Sequence, residues 1–257
     1  MSPPDPAKKL ASLLKRLRSR FDAAPPARGT GDAPPTADSI VSELVFSMLL
    51  WEAATSQARA AYKRLHEAFV DYNDLRAAID DEVAEVLGEK YPLAAERARR
   101  LRAALNDIYR RQHAVSLAHL PELAKRDAKA YIDSIEGVPL FASHRLLLCE
   151  LHVHALPIDE RLRDLLAAEG VLDEANDVHS ATAFIERHVH ADEASEVASL
   201  FQAWSDEDGQ SPRKEKRAPA PAVEPAARPA PARSKAEPRA PKAAAARKTK
   251  AKSKGGG

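Results

Sequence analysis

Residues 131–163 read YIDSIEGVPLFASHRLLLCELHVHALPIDERLR. A short helix ends at Gly137-Val138, a tight turn carries Pro139, and an apolar helix runs from about Leu140 to Leu151. Pro139 suits the first turn of that helix, where its missing N–H has no intrahelical role. After Pro157-Ile158 comes an isolated acid, Asp159, followed by ERLRDLL. Leu162, Leu165 and Leu166 then recur at helical spacing, so Asp159 stands where a helix N-cap is expected.

On both sides of this stretch the apolar residues keep a helical period and strand signals are weak. Helices are predicted over about 38–55 (Ile40, Leu44, Val45, Met48, Leu49, Trp51), 56–70, 74–79, 80–88 with Gly88 as a C-terminal cap, and 93–113 (Ala98, Leu101, Leu105, Ile108). Leu120-Pro121 and Asp127 open two short helices, and others follow at about 159–169, 180–189 and 191–204. No internal repeat is present. The fold class is therefore all-α, with short connections. Residues 7–21, AKKLASLLKRLRSRF, form a basic amphipathic helix. It either docks its leucines on the core or lays its charges on DNA or another anionic surface. Residues 23–36 read as a Pro/Gly linker without core-forming residues. The chain divides into an N-terminal helix and linker (1–36), a helical domain (37–205) and a Lys/Ala/Pro-rich tail (206–257) that is expected to be disordered.

The formal net charge of the 257 residues is only +1, yet the charges are segregated. Residues 212–257 hold fourteen Lys and Arg against three Glu, and residues 1–36 hold seven against three acids. The middle of the chain is left strongly acidic. No apolar run has membrane-spanning length and no secretory pattern is present, so no membrane association is expected. The single cysteine, Cys149, cannot hold an iron–sulfur cluster, which needs four thiolates, and within LLLCEL it reads as a small buried hydrophobe. No metal or other cofactor is expected. His152-x-His154 and His188-x-His190 lack converging further ligands, and they read as solvated or capping side chains. There is no Gly-rich phosphate loop and no nucleophile elbow.

The helix, Gly137-Val138-Pro139 turn, second helix and Asp159 resemble, in that order, the helix-hairpin-helix and catalytic-aspartate segment of the endonuclease III-like DNA glycosylases. Leu49-Leu50-Trp51-Glu52-Ala53-Ala54-Thr55 stands where that family carries L-L-S-x-Q-x-T, and Tyr91-Pro92-Leu93-Ala94-Ala95-Glu96-Arg97-Ala98 resembles its G-[LY]-x-x-x-K-A stretch. The resemblance covers roughly 165 residues. It implies a helix-hairpin-helix glycosylase-like domain that grips double-stranded DNA by the backbone. In such a hairpin, backbone N–H groups at the start of the second helix point at a phosphate. Gly137, Val138 and Leu140 would form the grip, with Ser143, His144 and Arg145 as candidates for added side-chain contacts. Pro139 replaces the second glycine and removes one donor. The other reading of the turn is that it only packs two helices.

Three departures bear on activity. The lysine nucleophile of the bifunctional members falls at Phe141, so strand cleavage through a Schiff base is excluded. The glutamine that fills the gap left by an extruded base falls at Ala53. The cluster cysteines are missing. If the protein is an enzyme, the resemblance implies a monofunctional glycosylase that uses Asp159 to stabilise charge on the sugar or to activate a water. The competing assignment of Asp159 is an ordinary N-cap. In the tail, cations ending with Lys248, Lys250, Lys252 and Lys254 resemble linker-histone and nucleoid-protein extensions, and they either bind phosphates by counterion release or fold back on the acidic core. Three functions follow as alternatives: a diverged base-excision repair protein, a non-catalytic DNA-binding or architectural protein, or a protein-interaction module. A monomer is expected, in the cytoplasm on the nucleoid or, in a eukaryote, in the nucleus.

Overall fold

A computed structural model describes residues 5–22, 25–29 and 38–208. Of the expected disordered tail, residues 206–208 belong to the last helix and the rest lies outside these residues, as does most of the expected linker. Among the described residues there are eleven α-helices and no strand. They are α1 (Pro6–Arg20), α2 (Ser39–Leu50), α3 (Thr55–Ala68), α4 (Tyr72–Ala77), α5 (Asp80–Leu87), α6 (Ala94–Gln112), α7 (Lys125–Asp133), α8 (Leu140–Leu151), α9 (Glu160–Ala168), α10 (Val178–His188) and α11 (Ala194–Asp208). Leu120–Glu122 forms a single 3-10 turn, where a second short helix was expected. Among the described residues no helix is long and apolar enough to cross a membrane.

Local chemistry sets five of the eleven helix starts. Asp5, Asp38, Asp71, Asp159 and Asp177 each accept a backbone N–H from the first turn of the helix that follows, which satisfies donors without an intrahelical partner. Gly88 closes α5 with φ of 93°. The predicted helix over 38–55 stops early, at Leu50. Arg97, fully buried, donates to the carbonyls of Leu49 and Trp51, and these groups then turn away from the helix. Glu52 follows in the left-handed region, with φ of 55°.

Two apolar clusters divide the described residues. The first is built from α2 to α6 with Ile132 of α7 and Leu146 and Leu147 of α8. The second joins Leu148 and the segment after α8 to α9, α10, α11 and α1. α8 serves both. It and α2 carry no polar face: every residue from Ile40 to Leu50 and from Phe141 to Cys149 is buried. Such all-round burial marks a central helix, and α2 packs along α8.

The alternatives for the basic amphipathic helix resolve toward docking. Leu10, Leu13, Leu14 and Leu17 are buried in the second cluster, each contributing about 1.5–3 kcal/mol. Arg18 bonds to Glu193 and Glu196 at 2.9–3.1 Å, Arg20 pairs with Glu207, and Arg16 pairs with Glu169. These pairs are exposed and worth under about 1 kcal/mol each, so the leucines hold the helix. The expectation that the linker lacks core contacts is corrected at 25–29. Ala27 packs on the first cluster, and a Cβ on Gly29 would lie 2.5 Å from Cβ of Phe46.

This strap rests on a buried ion pair. Glu43, on α2, and Arg145, on α8, approach to 3.0 Å at 0% and 4% side-chain exposure. Glu43 also accepts the Gly29 N–H at 2.9 Å, and Arg145 donates to the carbonyl of Ala27. Removing one member strands the other in an apolar interior. Arg145→Met is expected to cost about 3–5 kcal/mol in urea unfolding, and Glu43→Leu/Arg145→Met to recover part of that loss. Equal stability of Arg145→Met and the wild type would show that the pair does not hold the two helices.

Candidate nucleic-acid interface and the Asp159 junction

The hairpin forms as the sequence predicts. α7 ends at Asp133, Ile135 and Pro139 are buried, and α8 begins at Leu140. Gly137 has φ of 83°, and a Cβ there would lie 2.7 Å from the carbonyl oxygen of Arg100. Only glycine meets both conditions. The turn thus leans on α6, where the Arg100 guanidinium reaches the Gly137 carbonyl at 3.4 Å. Asp107 accepts the Glu136 N–H at 3.1 Å, and Arg111 donates to the Ser134 carbonyl and hydroxyl at 2.7 Å each. Val138 and Leu140 are half-buried. Pro139, the N-cap of α8, supplies no side-chain acceptor to the helix, so the first amides of α8 are left to a partner from outside the helix. Two carboxylates near the turn are paired with cations: Glu136 with Arg110 at 2.8 Å and Asp133 with Lys129 at 3.1 Å.

Ser143, His144 and Arg145 are a different matter. The candidate side-chain contacts to a duplex are corrected, because the structure turns all three inward, at 2%, 5% and 3% exposure. Ser143 donates to Asp133. His144 lies 3.0 Å from Glu186 and 3.3 Å from the Leu156 carbonyl. Arg145 belongs to the pair with Glu43. They stabilise the start of α8 and its seating between the clusters. Lys248, Lys250, Lys252 and Lys254 lie outside the described residues.

Asp159 sits where the two clusters meet, 5% exposed. One carboxylate oxygen accepts the Leu162 N–H at 2.9 Å, which is the N-cap bond of α9. The other accepts the Glu52 N–H at 3.1 Å, from the turn between α2 and α3. Glu52 answers: its carboxylate accepts the Glu160 N–H at 2.7 Å. Each acid caps the backbone of the other's segment, and together they join α9 to the end of α2. Close by, Asp206 of α11 accepts the Thr55 N–H at 2.9 Å, a second tie across the same seam. Phe141 and Ala53 are buried at 4% and 1%. Neither presents a polar group.

Arg97 is the structural residue of this junction to which sequence reading gave no role. It fixes the turn that carries Glu52, and its ring neighbours are Tyr91 at 4.7 Å and Trp51 at 5.7 Å. Arg100 covers Trp51 as well, at 5.1 Å. Burial pulls the Arg97 guanidinium below its usual range, opposed by the charges of Glu52 and Asp159, and burial pushes the Tyr91 hydroxyl up to about 12. The signal in the sequence was the Arg97-Ala98 pair, which matches the K-A of the family stretch.

The histidines stay apart from this seam. His152 ends α8 with φ of 49°, and His188 donates to the Phe184 carbonyl at 2.8 Å. No group of three or more His, Cys, Asp or Glu that could hold a metal occurs among the described residues.

The reciprocal caps make Asp159 and Glu52 energetically coupled. Asp159→Ala is expected to cost about 1–3 kcal/mol, since two amides lose their acceptor. In a double-mutant cycle with Glu52→Ala, a coupling of about 0.5 kcal/mol or more is expected from chemical denaturation. Additive losses would mean that the two acids stabilise their own segments independently.

Comparison with known proteins places this geometry. No protein-family model matches the sequence, and no curated protein sequence is similar to it. Solved structures do match. A trapped endonuclease III–DNA covalent intermediate superposes with a TM-score of 0.56 at 14% identity, over 77% of this chain and 85% of that one. A thermostable thymine-DNA glycosylase gives 0.52 at 14% identity, over 80% and 90%. The 8-oxoguanine glycosylase/lyase of Clostridium acetobutylicum, in complex with double-stranded DNA containing cytosine opposite 8-oxoG, gives 0.56 at 13% identity, over 79% and 69%. The described chain therefore has the all-α fold of the helix-hairpin-helix DNA glycosylases.

Proposed function

We propose that this protein binds double-stranded DNA through its hairpin and its cationic tail, and that it keeps the glycosylase fold as a scaffold without removing bases. The observation that carries this reading is the engagement of Asp159. Both of its oxygens accept backbone amides, and it is nearly inaccessible. A carboxylate that is to stabilise an oxocarbenium-like sugar or orient a water has to reach an extruded nucleotide. Asp159 would first have to give up a tie between the two clusters. Phe141 and Ala53 agree with this, since one cannot form a Schiff base and the other cannot fill a vacated base position.

Affinity in this reading comes from charge. The start of α8 offers amides to one phosphate, and residues 212–257 bring fourteen cations without sequence preference. The rival reading is a monofunctional glycosylase that uses Asp159. It draws support from the position of that residue, at the seam between the clusters beside the α2–α3 turn. The two readings separate in one set of assays. With damaged and mismatched duplexes, no base release is expected from the wild type or from Asp159→Asn. Release by the wild type that disappears in Asp159→Asn would establish the glycosylase instead. Duplex binding should fall with salt at a log–log slope near −7 if about eight cations engage. Deleting 212–257 should flatten that slope and remove most of the affinity.

A further inference from the structure

We propose that a cavity at the C-terminal end of α8 binds a small oxyanion of the phosphate class. The cavity measures about 180 Å³ and is lined by Arg28 of the strap, His152 and His154 beyond α8, and Ser195 of α11, over an apolar floor that includes Leu148 and Val153. It is distinct from the hairpin. The twelve residues of α8 separate the two, a span of about 18 Å at roughly 1.5 Å per residue.

The chemistry of the lining favours an acceptor ligand. A guanidinium, two imidazoles and a hydroxyl contribute hydrogen-bond donors, and the cavity lining includes no carboxylate. Ser195 lies in the first turn of the fifteen-residue α11, so the cavity meets the positive end of that helix, and Arg28 covers the Cys149 carbonyl at the negative end of α8. Of the acids beside the start of α11, Glu193 and Glu196 are held by Arg18 at 3.0 and 2.9 Å, while Asp192 is exposed. Arg28 is held in place by its bond to the Cys149 carbonyl and by Glu150 at 3.2 Å. Burial pushes the Glu150 carboxyl upward, opposed by the neighbouring charge of Arg28. A planar guanidinium fixed beside a helix start is an arrangement suited to tetrahedral or trigonal oxyanions. The room available admits a phosphate group and excludes a duplex. The group can arrive as a free small molecule or as the terminal phosphate of a nucleic-acid strand.

The test is a titration of the full chain with inorganic phosphate at constant ionic strength, followed by backbone amide NMR. Saturating shifts are expected at 152–154 and 191–195, with Kd on the order of 1 mM. Arg28→Ala should weaken binding about ten-fold or more. Because Arg28 also anchors the strap, His154→Gln provides a second variant at an exposed residue, with an expected loss of about three-fold and no change in Tm. Displacement of phosphate by a 5′-phosphorylated oligonucleotide, but not by its 5′-hydroxyl form, would identify a strand end as the source; failure of both to compete would identify a free small molecule. The proposal is overturned if shifts do not saturate, if equivalent chloride produces them, or if both variants bind phosphate as the wild type does.

Discussion

The exchange of backbone amides between Glu52 and Asp159 is the constraint on which the arrangement of the two clusters depends. Each carboxylate accepts an N–H from the segment that carries the other. Neither bond would form if the α2–α3 turn were a regular helix. Glu52 must adopt a left-handed conformation, which a non-glycine residue takes only when its surroundings require it. Arg97 supplies that requirement from below, by drawing the carbonyls of Leu49 and Trp51 toward the interior. A buried guanidinium, a strained turn and two acids thus form one unit. Loss of any part would release the others.

The spine of α2 and α8 depends on the same logic of paired polar groups inside apolar surroundings. Glu43 and Arg145 are too deeply buried to be tolerated singly. Each also makes one further hydrogen bond to the strap at 27–29. That contact draws the connection from α1 across the first cluster, while the leucines of α1 belong to the second. The N-terminal segment is therefore a structural member of the domain. Its positive charges meet Glu169, Glu193, Glu196 and Glu207, so part of the acidity of the middle of the chain is spent internally.

In the proposed function, grip is separated from chemistry. The hairpin keeps the features that a phosphate contact needs: a left-handed glycine against α6 and an uncapped helix start. The positions that the resemblance assigned to base removal hold instead a buried phenylalanine, Phe141, a buried alanine, Ala53, and, in Asp159, a carboxylate that already has backbone partners. Since local charge near the turn is balanced by pairs such as Arg110–Glu136, most of the electrostatic attraction in the proposed function has to come from the tail.

Helix positions, the all-α class, the hairpin and the N-cap at Asp159 were legible in the order of residues. They follow from interactions within about one turn: apolar spacing, an Asp before a helix, a glycine where φ must be positive. The resemblance carried by Gly137-Val138 and Asp159 extended this to the fold. What could not be read was where polar side chains point. Ser143, His144 and Arg145 look like a surface run, yet they are buried, because α8 packs against α2 on one side and the second cluster on the other. Residues 25–29 look like linker, yet Ala27 and Gly29 are core contacts. Arg97 and Glu52 gain their meaning from groups 46 and 107 positions away. By itself the sequence determined the helices and their order, since these arise from short-range periodicity and capping. Tertiary structure alone decided which charges are exposed and which acid meets which amide, because burial and pairing depend on segments that are distant along the chain and adjacent only once it folds.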